Sequence, residues 1–372
     1  MPGMLPAALK ATARQPYLAL MRRRGRLVRP LFLDYAVTWR CNARCVMCDT
    51  WKAKEINPAG VAGELSLEEL AGILERDAEF FGEVQKVGLT GGEPFLREDL
   101  VDLVRLLHQR LPRARMSLVS NGLMTERILK ALAKVREFFP ELVFSVSLDG
   151  LEGVHDQVRG VPGAFAKAMA TLKGAQDLGF TVTSGLTVGR LNHHQVQPVA
   201  ELLAGLGVDF SCNLQERGGN FHNSGRADEL GPEDKAALRR VLERWPHHYY
   251  MDNVRAQLDG ARRTLPCYAG FTSYFLTPEG NVTICNLISQ PLGNLRERPF
   301  RAIADAAATW ELRRKLADCT CWSQCEVKNS ALSAPWHLLA WLARHPRKAQ
   351  VLRHYAGKLS GRRGKTAVPD QG

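Results

Sequence analysis

Three observations predict an α/β fold built from six parallel β/α units. Strand-like and helix-like segments alternate from residue 32 to residue 244 at a spacing of roughly 25–40 residues, too long for hairpins and right for crossover helices. The residues best suited to chemistry fall directly after the strand-like runs: Cys41 after the first, Gly91–Pro94 after the second, Asn121 after the third and Asp149 after the fourth. Ligands sit at that end of parallel strands in both barrels and doubly wound sheets, so both architectures fit this pattern. The nine cysteines are also unevenly placed, three at 41–48, one at 212 and five between 267 and 325.

The elements follow in order. Phe32–Val37 is a short β-like run. Ser66 with Glu69 three residues later is a capping-type signal that opens an amphipathic helix to about Ala78. The apolar run Val84–Leu89 leads into Gly91-Gly92-Glu93-Pro94. Helix-like Glu98–Gln109, strand-like Met116–Val119, helix-like Glu126–Glu137 and strand-like Leu142–Leu148 come next. A helix at 163–177, a strand at 180–188, a helix at 193–204, a strand at 207–214 and a helix at 232–244 complete the series. The later cysteine-dense region reads as a small second domain. It has β-like runs Phe271–Leu276 and Asn281–Ile284 around a Pro278–Gly280 turn, then a helix near 301–317. Residues 333–358 read as a basic amphipathic helix. The expected organisation is therefore a basic N-terminal segment (1–30), an α/β body (31–245), a cysteine-rich domain (246–330) and a basic helix with its tail (331–372).

A chain of 372 residues with 45% hydrophobic and 24% charged residues is globular, not disordered or fibrous. No apolar run approaches the ~20 residues of a spanning helix. Lys10, Arg14 and Arg22–Arg24 interrupt any secretory apolar stretch, so a cytoplasmic location is the default expectation. The net charge of +12 is concentrated at the ends. Residues 1–30 hold seven Lys/Arg and no acid, and residues 331–372 hold eight Lys/Arg and only Asp370. Two basic ends on a nearly neutral body suggest contact with an acidic surface such as the inner face of an anionic membrane, and no nucleic-acid partner is expected.

Cys41-Asn-Ala-Arg-Cys45-Val-Met-Cys48 has the spacing C-x3-C-x2-C. An odd number of cysteines without a secretion signal argues against a disulfide framework. Three thiolates on one loop can ligate three irons of a [4Fe–4S] cluster and leave the fourth open. A closed zinc site needs four ligands, which this loop alone lacks. With Gly91-Gly92-Glu93-Pro94 after the second strand, the sequence resembles the radical S-adenosylmethionine (SAM) superfamily. That resemblance implies a partial (β/α)6 TIM-like barrel, a SAM-binding [4Fe–4S] cluster on Cys41, Cys45 and Cys48, and SAM held by Gly91, Gly92, Glu93 and Pro94. Met47 departs from the family, where an aromatic residue often precedes the third cysteine. Ser120-Asn121-Gly122 and the segment from Ser145 to Gly160 also resemble family features, which makes Asn121, Ser147 and Arg159 further candidate SAM contacts.

Cys267, twelve residues, Gly280, four residues and Cys285 resemble the opening of SPASM and twitch domains, which hold auxiliary clusters. Cys319-Thr-Cys321-Trp-Ser-Gln-Cys325 is shorter than the full SPASM pattern and implies one auxiliary [4Fe–4S] cluster, on Cys267, Cys285, Cys321 and Cys325, with Cys319 competing for the third place. Zinc in this region is the alternative. Cys212 reads as a small buried residue and His193-His194 and His247-His248 as surface polar pairs. A Gly218-Gly219 hinge before Phe221–Arg226 suggests a mobile loop over the strand ends, and Gln215–Arg217 could reach SAM or substrate. The expected activity is reductive cleavage of SAM and radical modification of an unactivated carbon in a peptide, cofactor precursor or lipid-linked substrate, with a small electron donor such as flavodoxin or ferredoxin. The sequence assigns no general acid or base. The rival expectation is a metal-binding scaffold without chemistry, which would bind no SAM.

Overall fold

The computed structural model describes residues 4–223, 230–243, 249–261, 263–319 and 321–349. Six parallel strands form as the alternation predicts: β1 (Phe32–Ala36), β2 (Lys86–Thr90), β3 (Arg115–Ser120), β4 (Val143–Ser147), β5 (Thr181–Val188) and β6 (Asp209–Leu214). Each pairs with the next in order. The crossover helices include Leu67–Arg76, Leu100–Arg110, Thr125–Arg136, Ala164–Asp177 and Val196–Gly205. The sheet remains open, with β6 at one edge, which fits a partial TIM-like barrel. Ser66 caps the first of these helices in a full capping box with Glu69, as its spacing predicts.

The two faces of the sheet differ sharply. Val87, Leu89, Met116, Leu118, Phe144, Val146 and Leu186 alternate along the strands and are fully buried with Leu103, Ile128, Leu132, Leu172 and Leu203 of the helices. Most of the opposite positions are small or polar and only half-buried: Gly88 in β2, Ser117 in β3, Ser145 and Ser147 in β4, and Thr183, Gly185 and Thr187 in β5, with Val119 and Val143 between them. A complete barrel fills its interior with bulky branched side chains. Here the concave face is left lined with hydroxyls and glycines, which makes room for a ligand.

The cysteine-rich segment continues this sheet. β7 (Ser273–Leu276) runs parallel to β1, and β8 (Asn281–Thr283) and β9 (Pro291–Asn294) follow antiparallel. The turn between β7 and β8 uses Gly280 at φ +89°. Behind it, Phe300 meets Phe81 at 5.1 Å and Tyr274 at 4.9 Å between ring centroids, and its amide donates to Asp77 Oδ1 at 3.1 Å. The cysteine-rich segment is thus bonded to the barrel by strand pairing on one side and by an aromatic cluster on the other.

Several elements depart from expectation. The helix expected at 301–317 is two helices, Phe300–Ala304 and Ala307–Lys315. The helix expected at 333–358 is Pro335–Arg344, which stops before Pro346, and residues from 350 lie outside the described set. Helices Met4–Arg23, Glu152–Arg159, Tyr249–Leu258 and Gln324–Ser333 form where none was expected. Gln324–Ser333 has no apolar stripe to read, because it buries Glu326, Asn329, Ser330 and Ser333. Those side chains serve the neighbouring backbone and hydroxyls instead: the Tyr268 amide donates to Ser330 Oγ at 3.0 Å, and Ser273 Oγ donates to Glu326 Oε2 at 2.7 Å.

Because Phe300 is 1% exposed and joins the two parts, Phe300→Ala is expected to destabilise the protein by about 3–5 kcal/mol, with Phe300→Leu recovering most of the loss, in urea denaturation.

Candidate active site

The loop after β1 carries Cys41, Cys45 and Cys48 and is fixed by backbone contacts on two sides. On the β2 side, Gly92 donates to Thr38 O at 2.8 Å and Glu93 to Arg40 O at 2.7 Å. These approaches require glycine: a Cβ on Gly91 would lie 2.3 Å from Thr38 O, and one on Gly92 would lie 2.2 Å from Arg40 O. Gly91 also sits at φ +135°. On the β4 side, Arg44 donates to Arg159 O at 2.8 Å and Val46 to Val158 O at 2.9 Å. Gly160 follows at φ +63°, where a Cβ would meet Arg44 O at 2.5 Å.

Glu93 is fully buried and ties three strand ends together. Its carboxylate accepts from Phe95 N at 3.2 Å, Ser120 Oγ at 2.9 Å and Asn121 N at 2.7 Å. Burial pushes its pKa up to about 7 against these hydrogen bonds. An ionised carboxylate has about four lone-pair directions, so about one is left for a further donor. Asn121 reaches the cysteine loop directly, with Nδ2 donating to Asn42 Oδ1 at 2.8 Å. Pro94 is buried and opens a short 3-10 turn. Ser147 ends β4 on the half-buried concave face.

Arg159 pairs with buried Asp149 at 2.6 Å and places Nη1 3.6 Å from Cys45 Sγ. Its Nε is buried without a partner. Asp149 also accepts from Thr187 N at 2.9 Å. His155 Nδ1 accepts the Asp149 amide at 3.0 Å, and burial and Arg159 push its pKa down to about 4, so it is neutral. Burial pushes all three loop thiols up, Cys41 to about 12. Such thiols ionise when a positive metal centre sits among them. Among the described residues no group of His, Cys, Asp or Glu closes around a single metal ion. Three thiols on one loop with the Arg159 guanidinium 3.6 Å from Cys45 Sγ fit a net-anionic cluster.

The second cysteine group is assembled around Cys319. Cys267 and Cys321 both hydrogen-bond to Cys319, which holds its thiol low while theirs are pushed up, and Cys285 feels its charge. Arg263 reaches Cys321 O at 3.2 Å, and its Nε and Nη2 are buried without partners. Burial pushes the Cys325 thiol up to about 12, with the charge of Asp34 raising it further and that of Lys86 opposing. Cys319, given above as a competitor, lines one cavity with Cys267, Cys285 and Cys321.

The loop 215–223 joins the two groups, a connection that spacing in the sequence does not display. Asn223 Nδ2 donates to Met47 O at 2.8 Å, the Asp49 amide donates to Phe221 O at 2.9 Å, and Asn220 Nδ2 donates to Cys285 O at 3.4 Å. Glu216 Oε1 accepts from Trp322 N at 2.9 Å. The expected mobile loop is thus anchored as far as Asn223, and its residues 224–226 lie outside the described set. Cys212 is buried against Met251. His193 and His194 meet edge to face at 5.6 Å, and His247-His248 lies outside the described residues.

With this geometry in place, comparison with known proteins is decisive. The family model of the radical SAM superfamily matches residues 35–203, and that of the SPASM iron–sulfur cluster-binding domain matches residues 267–326. The chain is a radical SAM enzyme with a SPASM domain. It takes a [4Fe–4S] cluster and SAM in the first region and auxiliary iron–sulfur in the second. The AdoMet-dependent heme synthase of Methanosarcina barkeri is 28% identical over 78% of this chain and 85% of its own length. The sporulation killing factor maturation protein SkfB of Bacillus subtilis is 25% identical over 82% of this chain and 72% of its own. Among solved structures, SuiB of Streptococcus suis superposes with a TM-score of 0.60 at 14% identity, over 82% of this chain and 76% of that one. The structure of anSMEcpe with bound AdoMet gives a TM-score of 0.59 at 14% identity, over 84% and 98%. The last two show the shared fold. No helix among the described residues is long and apolar enough to cross a membrane.

Gly160 and Gly163 separate backbone conformation from loop docking. Both have φ near +63° to +72°, but a Cβ on Gly163 meets nothing within 4 Å. Each alanine substitution costs about 1–2 kcal/mol of backbone strain. Gly160→Ala is expected to lower the iron retained by the Cys41–Cys48 loop after anaerobic reconstitution, and Gly163→Ala to leave it unchanged, as read by iron and sulfide analysis.

Proposed function

We propose that this enzyme binds SAM across the carboxyl ends of β1–β4 and modifies a carbon of a small anionic substrate, of the carboxylated cofactor-precursor class. Cys41, Cys45 and Cys48 hold the SAM-binding cluster in this reading, and Glu93, Asn121, Ser147 and Arg159 surround the cofactor. The observation that carries it is the docking of the cysteine loop against the Gly91–Glu93 segment and the Arg159–Gly160 segment together. The cluster and SAM together supply a 5′-deoxyadenosyl radical able to take a hydrogen atom from an unactivated carbon.

The chain's own groups do the remaining work. The free lone pair of Glu93 accepts the SAM amino group. Gly91 and Gly92 let backbone carbonyls and amides come close to it. Asp149 holds the Arg159 guanidinium beside Cys45, so its positive charge favours the thiolate. The hydroxyls of Ser117, Ser145 and Thr183 leave an open concave face for substrate and supply hydrogen bonds to it.

The auxiliary cluster is assigned to Cys267, Cys285, Cys319 and Cys321, with Arg263 beside it. A cavity of about 890 Å³ opens onto these thiols. Its walls include Arg22, Arg23, Arg24, Arg217, Arg313, Arg314 and Lys315, against Glu216, Asp318 and Glu326, a surplus of four positive charges. That surplus supports an anionic substrate, and the names of the heme synthase and Fe-coproporphyrin III synthase relatives give the same class. An acidic electron donor such as a flavodoxin or ferredoxin completes the reaction.

Three outcomes follow. Wild type is expected to hold about eight iron atoms per chain, Cys41/Cys45/Cys48→Ala about four, Cys319→Ser about four and Cys325→Ser about eight. Retention of all iron by the triple variant would remove the central claim. SAM affinity of the reconstituted enzyme is expected to fall as pH drops below about 7, because the carboxylate of Glu93 then protonates and loses its attraction for the amino group. Glu93→Gln should bind weakly with no such dependence in equilibrium binding. For the substrate class, a tetracarboxylate porphyrin should bind about tenfold more weakly to Arg313→Ala/Arg314→Ala than to wild type. Equal binding by both would favour a peptide substrate, the class named in the structure of SuiB bound to precursor peptide SuiA.

A further inference from the structure

We propose that one face of this protein, formed by helices Met4–Arg23, Gln324–Ser333 and Pro335–Arg344, docks peripherally on an anionic lipid bilayer. The three helices pack on one another, and Gln15 Oε1 of the first accepts the amide of Trp336 at the start of the last at 2.7 Å. Seven large apolar side chains among the described residues are exposed, and five of them belong to these helices: Tyr17, Leu20, Leu332, Trp336 and Leu339, each 42–54% exposed. The other two, Ile56 and Leu191, lie on separate parts of the chain.

The pattern on Pro335–Arg344 shows why this is more than scattered exposure. Leu338, Trp341 and Leu342 turn inward, where Trp341 meets Tyr249 edge to face at 5.6 Å. Trp336, Leu339, Ala340 and Ala343 recur at i, i+3, i+4 and i+7 and face outward. A helix at a protein surface needs one apolar stripe, and this one has two, the second bare. The N-terminal helix repeats the arrangement. Leu18 is buried, while Ala13, Pro16, Tyr17 and Leu20 form an exposed row that ends in Arg23 and Arg24.

Charge selects the occupant. Residues 13–30 and 331–349 carry nine Lys/Arg and no acid. Trp and Tyr beside Arg are the residues of a headgroup boundary, where basic side chains each gain about 1 kcal/mol near anionic lipid. A second copy of the chain would bring the same positive segments together and is disfavoured by repulsion. The inference stands on exposure and charge, and is independent of the cysteine assignments.

The test uses the full-length reconstituted enzyme, sedimented with vesicles of phosphatidylcholine alone or with about 30% phosphatidylglycerol. Binding is expected on the anionic vesicles, several-fold weaker in high salt and on neutral vesicles. Trp336→Ser/Leu339→Ser should lower the partition coefficient about tenfold, and Trp336→Phe should retain most of it. Both side chains are exposed, so unchanged circular dichroism and iron content report intact folding. Absence of binding, equal binding to neutral vesicles, or a double variant that binds like wild type would each overturn the proposal. So would a concentration-dependent dimer abolished by the same double variant, since that assigns the face to a second copy.

Discussion

The site depends on close backbone approach, and the glycines are where that constraint is concentrated. The cysteine loop has no regular secondary structure of its own over Cys41–Cys45. Its shape is imposed from both sides, by Thr38 O and Arg40 O accepting from the Gly92 and Glu93 amides and by the Arg44 and Val46 amides donating to the end of the helix after β4. At Gly91, Gly92 and Gly160 these contacts bring main chain so close that a Cβ would clash with the facing carbonyl oxygen. Three sulfurs can then hold a fixed triangle without a rigid element beneath them, because the strand ends supply the rigidity. Arg97 reinforces the same frame from below, donating to Val37 O at 3.0 Å and Leu65 O at 2.6 Å while paired to Asp99.

Burial gives the same site its electrostatic character. Glu93 and Asp149 are fully buried and the Arg159 side chain is 11% exposed, so their mutual geometry weighs heavily on their charge states. Arg159 is the link, joined to Asp149 on one side and Cys45 on the other. A buried ion pair is a poor source of net stability, since desolvation offsets the attraction. Its value here lies in position: a permanent cation is held beside thiols that burial alone would keep protonated. The concave face nearby follows the opposite logic. Its small hydroxyl-bearing residues forgo the packing that bulky side chains would provide, and the space is left for ligand.

How far the sequence reveals this depends on the signal each element carries. The six β/α units are legible because their strands alternate and their helices are amphipathic. The Cys41–Cys48 loop and Gly91–Pro94 are legible because their chemistry is written in consecutive residues. Helix Gln324–Ser333 is illegible by the same rule, since it buries polar side chains that bond to Tyr268, Thr272 and Ser273 of another segment and leave no period to detect. The merging of the cysteine-rich segment into the barrel sheet is equally hidden, because strand pairing between β1 and β7 joins residues some 240 apart and nothing local records it.

Loop 215–223 shows what such long-range closure does. Within a few residues it bonds to Met47 and Asp49 beside the first cysteine group and to Cys285 and Trp322 in the second. Gly218 and Gly219 permit this because side chains there would strike Leu287 and Ser289. They act as close-contact points more than as a hinge. A shift at one cysteine group must therefore strain bonds that reach the other, since the segment between is too short and too well anchored to absorb it. The same segment follows β6 at the open edge of the sheet, where a partial barrel would otherwise admit solvent. Its bonds to both cysteine groups hold the two in one arrangement, and a single short stretch of chain does so from the end of the last barrel strand.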